Sequence, residues 1–119
     1  MSNRTIRIAE LVQRELGAYL HTKYQTETVA ITVAGVEVAP DLKTGKIFFS
    51  ILGDDLQAEE KMGWLRRRAG EIRRELARRV QLKHSPEWQF QLDRSTQRGN
   101  RVLEILDQIS EGERKPDPS

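Results

Sequence analysis

The longest periodic segment of the chain runs from Leu56 to Leu82 and limits the folds that the chain can adopt. Apolar residues recur there at alternating steps of three and four, which places them on one face of an α-helix. This apolar stripe consists of Ala58, Met62, Leu65, Ala69, Ile72, Leu76 and Val80. Periodicity alone is compatible with one long helix or with the seam of a coiled coil. Glycine inside a helix costs about 1 kcal/mol, so Gly70 in the middle of the stripe favours two helices that meet at a bend.

Two strands are predicted before this segment. Residues 28–38 alternate between apolar and polar or small side chains, and the parity changes at Gly35, as a β-bulge would produce. The segment 39–45 contains proline and glycine and has the composition of a turn. Residues 46–52 then alternate again. So short a connection predicts an antiparallel hairpin.

The remaining elements flank these strands. Residues 4–21 have a helical pattern, and a third strand follows Pro86, where Trp88, Phe90 and Leu92 alternate with polar residues. The pattern predicts that one face of the first helix is buried through Ile8, Val12, Leu16, Tyr19 and Leu20. A final helix is predicted to begin at Ser95 or Thr96 and to bury Val102, Ile105, Leu106 and Ile109.

The order of elements is therefore helix, strand, strand, helix, helix, strand, helix. Three strands with helices packed on one face make a small α+β sandwich. A chain of 119 residues is of the size of a single domain. We predict one domain over residues 1–112 and a flexible polar tail over residues 113–119.

Composition argues against an enzyme. The chain has no cysteine and only two histidines, His21 and His84, which lie near the ends of different elements. Neither histidine belongs to a spaced ligand set or to a catalytic triad signature, and no glycine-rich phosphate loop occurs. Asp54 and Asp55 precede a helix, where acids favour the helix dipole more often than they bind magnesium. We predict no catalytic residue, no metal site and no cofactor.

The first residues lack the apolar core of a secretory signal, and the longest apolar run, 47–52, is too short to span a bilayer. We therefore expect a soluble, cytoplasmic protein that has neither a membrane partner nor a small-molecule substrate.

The positive charge of the chain is concentrated in one segment. Between Lys61 and Lys83 there are nine basic and two acidic residues, a net charge of +7, and because the whole chain carries +2 the rest carries −5. Glu71 has the spacing to pair with Arg67 and Arg74, and Glu75 with the arginines that follow it. Such pairs would also occur on a solvated helix face, but two acids cannot compensate nine bases. Seven of the nine are arginine, which suits bidentate phosphate contact.

We therefore interpret the segment as a nucleic-acid contact. The residues predicted to bind RNA are Arg66, Arg67, Arg68, Arg73, Arg74, Arg78, Arg79 and Lys83. The aromatic residues do not form an exposed stacking platform, because Phe49, Trp88 and Phe90 occupy predicted core positions. Trp64 lies beside the apolar stripe, and we expect it to be half-buried.

Local sequences in the same order along the chain resemble the ribosome-binding factor A family. The matching segments are Arg7–Ala9, Gln13–Leu16, Val36–Val38, Asp41-Leu42, Lys46–Leu52, Gly70–Arg73, Glu75-Leu76, Pro86-Glu87, Phe90, Asp93, Ser95, Gly99 and Arg101. No single segment is specific, but the ordered set is. The resemblance covers nearly the whole chain except the two tails, and the order of elements is similar to that of a type II KH domain.

The resemblance implies a KH-like αββααβ fold with an additional C-terminal helix. It also implies a non-enzymatic assembly factor that binds the free 30S subunit and 16S rRNA near the 5′-terminal helix and promotes late 30S maturation and 16S rRNA processing. KH domains usually hold nucleic acid with a Gly-x-x-Gly loop, which is absent here. The family is similar in lacking it and has an Ala-x-Gly kink between two helices instead.

Two features of the sequence differ from the family pattern. The kink implied by the resemblance is Arg68, Ala69 and Gly70, with arginine in place of the family's alanine. The family's Asp-Pro-Arg turn after the first helix is replaced by residues 23–28, so no contact of that turn can be carried over.

Two alternatives to a monomeric assembly factor remain open. In the first, residues 58–80 form an uninterrupted helix that dimerises, and the protein is a structural or interaction protein. In the second, the chain is a general KH module for single-stranded RNA, although the missing Gly-x-x-Gly argues against it. Oligomeric state separates the first alternative from the assembly factor.

Overall fold

The computed structural model describes residues 3–94, which form three helices and a three-stranded sheet. In chain order the elements are α1 (Asn3–Lys23), β1 (Ile31–Val38), β2 (Thr44–Ile51), α2 (Asp55–Arg67), α3 (Ala69–Arg79) and β3 (Glu87–Leu92). The α+β fold predicted from the sequence is confirmed. The predicted final helix and the tail 113–119, with the domain limit at 112, lie outside the described residues.

The sheet has the strand order β1-β2-β3. β1 and β2 form the predicted antiparallel hairpin, and β3 pairs with β2 in parallel. Parallel neighbours need a long connection, which α2 and α3 provide. The register of the hairpin shifts between Val33 and Gly35, so the predicted β-bulge is confirmed.

One face of the sheet carries the core, because side chains on a strand alternate between its two faces. Ile47, Phe49 and Ile51 of the central strand are fully buried, and the Phe49 ring meets the Phe90 ring edge to face at a centroid distance of 5.5 Å. The helices cover this face. All five residues predicted for the buried face of α1 are buried: Ile8, Val12, Leu16, Tyr19 and Leu20.

The apolar stripe that suggested a coiled coil belongs to this core. Six of its seven members are buried and the other, Ala69, is partly buried against them. The stripe is divided between two helices, since α2 ends at Arg67 and α3 begins at Ala69. The alternative of an uninterrupted dimerising helix is therefore wrong, because the face that a coiled coil needs is packed against the chain's own sheet.

The boundary between α1 and β1 differs from the prediction. α1 extends to Lys23, and β1 begins only at Ile31, so Val29 is not in a strand and is 82% exposed. Thr28 explains the difference: its hydroxyl donates to the Tyr24 carbonyl at 2.7 Å and its N–H to the same oxygen at 2.9 Å. A threonine that bonds to nearby backbone competes with strand pairing. The alternation in 28–30 therefore belongs to a turn.

β2 also begins two residues earlier than predicted, at Thr44. Gly45 pairs with Val38 of β1 and with Trp88 of β3. A Cβ atom at position 45 would overlap the Trp88 ring. Glycine here is therefore required for the close approach of the indole and is not a turn residue.

Within the part of the chain that the structure describes, no helix is both long enough and apolar enough to cross a bilayer.

Candidate nucleic-acid interface

Because the apolar stripe is buried, most basic residues of α2, α3 and the segment after α3 lie on the surface. We call the exposed ones the arginine surface, which comprises Arg66, Arg67, Arg73, Arg74, Arg78 and Lys83. The other two predicted RNA-binding residues, Arg68 and Arg79, are half-buried. The predicted RNA-binding residues thus differ in how exposed they are. They also differ in whether they form ion pairs with other side chains.

Arg66, Arg67, Arg74 and Lys83 form no ion pair with any residue of 3–94. An unpaired guanidinium presents a planar set of donors that matches a phosphate group in two-point contact. These four side chains are therefore the ones whose charge remains available to a polyanion.

Glu71 does not neutralise the arginine surface, contrary to the pairing predicted from spacing. Its carboxylate accepts hydrogen bonds from the hydroxyls of Tyr19 and Tyr24, the latter at 2.6 Å, and contacts the Lys23 ammonium at 3.1 Å. These three partners belong to the end of α1 and the loop after it. Glu71 therefore links α1 to α3, and Arg67 and Arg74 are left without their predicted partner.

Glu71, Tyr19, Tyr24 and Lys23 form one cluster, and their contacts shift the pKa values of Glu71 and Tyr19. Hydrogen bonds from Tyr19 and then Tyr24 favour the ionised carboxylate and lower the pKa of Glu71 to about 2. Burial, followed by the Glu71 carboxylate, raises the pKa of Tyr19 to about 12. The cluster consequently carries a fixed negative charge opposite Lys23 at neutral pH.

Glu75 pairs as the sequence predicted. Its carboxylate accepts from Arg78 and from Arg79 Nε, the latter at 2.8 Å, and these bonds lower the pKa of Glu75 to about 2. Arg79 also reaches Glu15 on α1 at 3.4 Å and lies over the Tyr19 ring. Arg78 and Arg79 are therefore partly compensated, and Arg79 holds α3 against α1.

Arg68 and Arg73 both contact aromatic residues. The Arg68 guanidinium lies 4.2 Å from the centroid of the Trp64 ring and 5.4 Å from that of Tyr24. Arg73 donates to the Trp88 carbonyl at 2.8 Å. Its guanidinium also lies 5.8 Å from the centroid of the Phe90 ring. Contact with an aromatic ring suits arginine better than lysine, and these contacts give both side chains a structural role beside any contact with RNA. Trp64 is half-buried, as expected.

The bend between α2 and α3 falls at Arg68, the first of the three residues that the resemblance assigns to the kink. Its backbone has φ −102° and ψ 12°, and its N–H donates to the Leu65 carbonyl at 3.0 Å, an i to i−3 bond. Gly70 is an ordinary residue of α3, and a Cβ there would meet only Arg74 Nη1 at 3.5 Å. The bend therefore does not depend on the conformational freedom of glycine.

The loop after α1 contributes residues that the sequence did not identify. Tyr24 contacts Glu71, meets the Trp64 ring edge to face at 5.0 Å and lies under Arg68. The only signal for this role was an aromatic residue in an otherwise polar loop. The loop after α1 thus supports the junction of α2 and α3.

His21 and Asp54, two of the residues that were considered for catalysis, contact backbone groups of the chain itself. His21 is exposed and its Nε2 lies 3.0 Å from the Ile31 carbonyl. Asp54 caps α2, because its carboxylate accepts the Gln57 N–H at 2.8 Å while the Gln57 side chain accepts the Asp54 N–H. Among the described residues, no group of three or more histidine, aspartate or glutamate side chains is arranged to hold a metal ion.

Comparison with solved structures shows the same fold in known proteins. The structure matches the crystal structure of ribosome-binding factor A from Thermus thermophilus with a TM-score of 0.63 and 19% identity, over 72% of this chain and 92% of that one. It matches the solution structure of a Thermotoga maritima protein described as a putative ribosome binding factor A with a TM-score of 0.66 and 23% identity, over 76% and 87% of the two chains. A third similar structure, with a TM-score of 0.55 and 19% identity over 71% of this chain and 90% of that one, is a homology model of the T. thermophilus factor fitted into a cryo-EM map of its 30S complex.

Sequence comparison extends over nearly the whole chain. The chain is 47% identical over 109 residues to ribosome-binding factor A of Opitutus terrae, covering 92% of this chain and 89% of that protein. It is 38% identical to the factor of Desulforamulus reducens, covering 98% of each. The family model described as ribosome-binding factor A matches residues 4–106. The chain therefore belongs to the ribosome-binding factor A family.

Proposed function

We propose that the chain is a non-enzymatic ribosome assembly factor that binds the free 30S subunit through 16S rRNA, in the region of the 5′-terminal helix. In this role it promotes late maturation of the subunit and processing of 16S rRNA. It acts in the cytoplasm as a monomer, without a cofactor. Membership of the family supports the ribosomal role, as does the likeness to a factor fitted into a map of a 30S complex.

The single observation that carries the RNA contact is the uncompensated charge of the arginine surface. Arg66, Arg67, Arg74 and Lys83 are exposed and have no ion pair within residues 3–94. Glu71 has the spacing to neutralise Arg67 and Arg74, but its carboxylate instead accepts hydrogen bonds from Tyr19 and Tyr24. Phosphate is the ligand that such a set of free guanidinium and ammonium groups prefers.

The folding of the apolar stripe supports the monomer. The residues of the stripe pack on the chain's own sheet. They are therefore not available to form a coiled coil with a second chain. Arg67 and Arg74 are both exposed, on two helices that are consecutive in the chain.

The test is co-sedimentation of the protein with separated 30S, 50S and 70S particles at several salt concentrations. We expect selective association with free 30S subunits that weakens as salt rises, with a log-log slope of about −0.7 to −0.9 for each phosphate contact. The variant Arg67→Gln/Arg74→Gln removes two contacts. It should bind more weakly and reduce the steepness of the slope by about 1.5.

The matched control is Arg14→Gln/Lys46→Gln, which removes the same charge from α1 and from the open face of the sheet. It should leave the salt slope unchanged. Equal losses in the two variants would mean that net charge, and not the arginine surface, governs binding. Association of the wild-type protein with no particle at all would refute the proposed function.

A further inference from the structure

A small cavity lies at the end of the molecule where the β1–β2 hairpin, the start of α1 and the segment after α3 meet. Its volume is about 260 Å³. The Glu87 N–H donates to the Lys43 carbonyl at 2.9 Å and so fixes the hairpin beside the segment that precedes β3. The ion pairs Lys23–Glu71 and Arg79–Glu15 hold α1 and α3 antiparallel, so the start of α1 points towards the segment that follows α3. Three separate parts of the sequence thus build one cavity.

The rim of this cavity is positively charged. Arg4 from α1, Lys43 from the hairpin and Lys83 from the segment after α3 all line it, and all three are exposed. None of them forms an ion pair with another described residue. Asp41 is the only carboxylate among the lining residues, its Oδ1 accepts the backbone N–H of Lys43 at 3.0 Å, and its single charge can offset only one of the three cations. The rim therefore has a surplus of free cationic groups, and an anion is the ligand that it favours.

The floor of the cavity is apolar. Leu42 and Leu82 line it, and both are half-buried against the hydrophobic core. A pocket with an apolar floor and a few convergent polar groups is typical of a small-molecule or nucleotide site and not of a surface for bare phosphate. The apolar floor therefore favours an anion that also carries an apolar or aromatic group, a preference that the charged rim alone would not give.

Leu42 occupies this floor at an energetic cost. Its φ is +62°, which makes it the only residue other than glycine with a positive φ among residues 3–94. A left-handed backbone is strained for a residue with a side chain, because the Cβ atom comes too close to the following carbonyl oxygen. The Leu42 N–H donates to the Ala39 carbonyl at 2.8 Å and so holds the turn. Glycine would form the same turn without strain. The packing of the Leu42 side chain against the core offsets the strain, and strained backbone residues of this kind cluster at functional sites.

We propose that this cavity binds one unpaired nucleotide of ribosomal RNA. The phosphate lies among Arg4, Lys43 and Lys83, and the base packs on Leu42 and Leu82. Unpaired nucleotides are the part of RNA whose bases can leave the stack and enter a pocket. Because Lys83 belongs both to this rim and to the arginine surface, the pocket extends that surface to the end of α3. The proposal rests on the proposed function for the identity of the RNA, but the pocket can be tested without ribosomes.

The direct test is an NMR titration of the whole protein with adenosine and uridine 5′-monophosphates and, separately, with inorganic phosphate. We expect shifts of the backbone amides of residues 41–43 and 82–84, and saturation at a lower concentration of nucleotide than of phosphate, roughly fivefold lower if the base contributes about 1 kcal/mol. The variant Leu42→Gly should abolish that preference without changing the charge. Lys43→Gln/Lys83→Gln should weaken binding of nucleotide and phosphate alike, whereas the control Lys46→Gln/Lys61→Gln should not. Shifts elsewhere only, or equal saturation by nucleotide and phosphate, would overturn the proposal.

Co-sedimentation of Leu42→Gly with 30S subunits separates the two proposals. We expect association about fivefold weaker than that of the wild type, because one apolar contact of about 1 kcal/mol is lost. If the wild type binds 30S subunits and Leu42→Gly binds them equally well, the pocket proposal fails and the assembly function stands. If nucleotides bind in the pocket but the wild type associates with no ribosomal particle, the assembly function fails and the nucleotide site stands.

Discussion

Replacement of Glu71 by glutamine tests whether the carboxylate between α1 and α3 stabilises the fold. Glu71→Gln keeps the shape of the side chain but removes its charge, so the hydroxyls of Tyr19 and Tyr24 share one neutral oxygen and Lys23 loses its partner. The pKa of Glu71 lies at about 2, below its ordinary value of 4.5. This difference corresponds to at most about 3 kcal/mol of stability. Because 30% of the Glu71 side chain is exposed, solvent screening reduces the expected loss to about 1–2 kcal/mol.

The pH dependence of this loss follows from the direction of the pKa change. A carboxyl group whose pKa is lower in the folded state stabilises the fold fully above its unfolded pKa. For Glu71 that contribution is therefore complete above about pH 4.5 and is lost as the pH falls towards about 2. The variant cannot lose it, since glutamine does not titrate. The gap in stability between the wild type and Glu71→Gln should accordingly close over this range.

Urea denaturation of the two proteins at neutral pH and at several acidic pH values measures this gap. Glu60→Gln is the matched control, because Glu60 is exposed on α2 and forms no ion pair within the described residues. A loss at neutral pH no larger than that of Glu60→Gln would refute the reasoning. So would a loss from Glu71→Gln that stays the same when the solution is acidified.

Two further substitutions test other parts of the fold. Gly45→Ala should destabilise the protein by about 1–3 kcal/mol, because the added methyl group overlaps the buried Trp88 ring. Thermal unfolding followed by tryptophan fluorescence measures this loss, and an unchanged unfolding midpoint would contradict the close packing of Gly45 on Trp88. Gly70→Ala should stabilise the protein by up to about 1 kcal/mol, because the position is helical and a Cβ there has space, and amide chemical shifts around Arg68 should show that the bend is retained. Destabilisation by Gly70→Ala would show that the bend needs the glycine after all.

The sequence predicted the core of this fold well, because burial on helices and strands follows simple periods. The odd-numbered residues of β2 are buried as the alternation required, as are Trp88 and Phe90 of β3, while Leu92 at the end of β3 is half-buried. The shift of parity at Gly35 is a bulge in the structure. The prediction failed where a short local hydrogen bond decided the outcome. Thr28 continues the strand pattern in sequence, but its hydroxyl and N–H bond to the carbonyls at the end of α1.

The arginine surface was predictable as a charged segment but not in its detailed pairing. Rules for neighbouring turns of a helix correctly paired Glu75 with Arg78 and Arg79. The same rules failed for Glu71, whose partner Tyr19 lies 52 residues away in sequence. Which side of α3 faces the end of α1 depends on how the two helices pack, and helical spacing carries no information about that. The role of these residues in RNA binding stays a prediction.

The parallel pairing of β2 with β3 bears on the order in which the chain can fold while it is being synthesised. α1, β1 and β2 are consecutive in sequence, so they can assemble once Ile51 has emerged from the ribosome. The second partner of β2 appears only after both α2 and α3 have been made. Until then the central strand has one unpaired edge, and such an edge readily pairs with other chains. The edge of β2 is therefore exposed to pairing with other chains at least until translation has passed through α2 and α3 and completed β3.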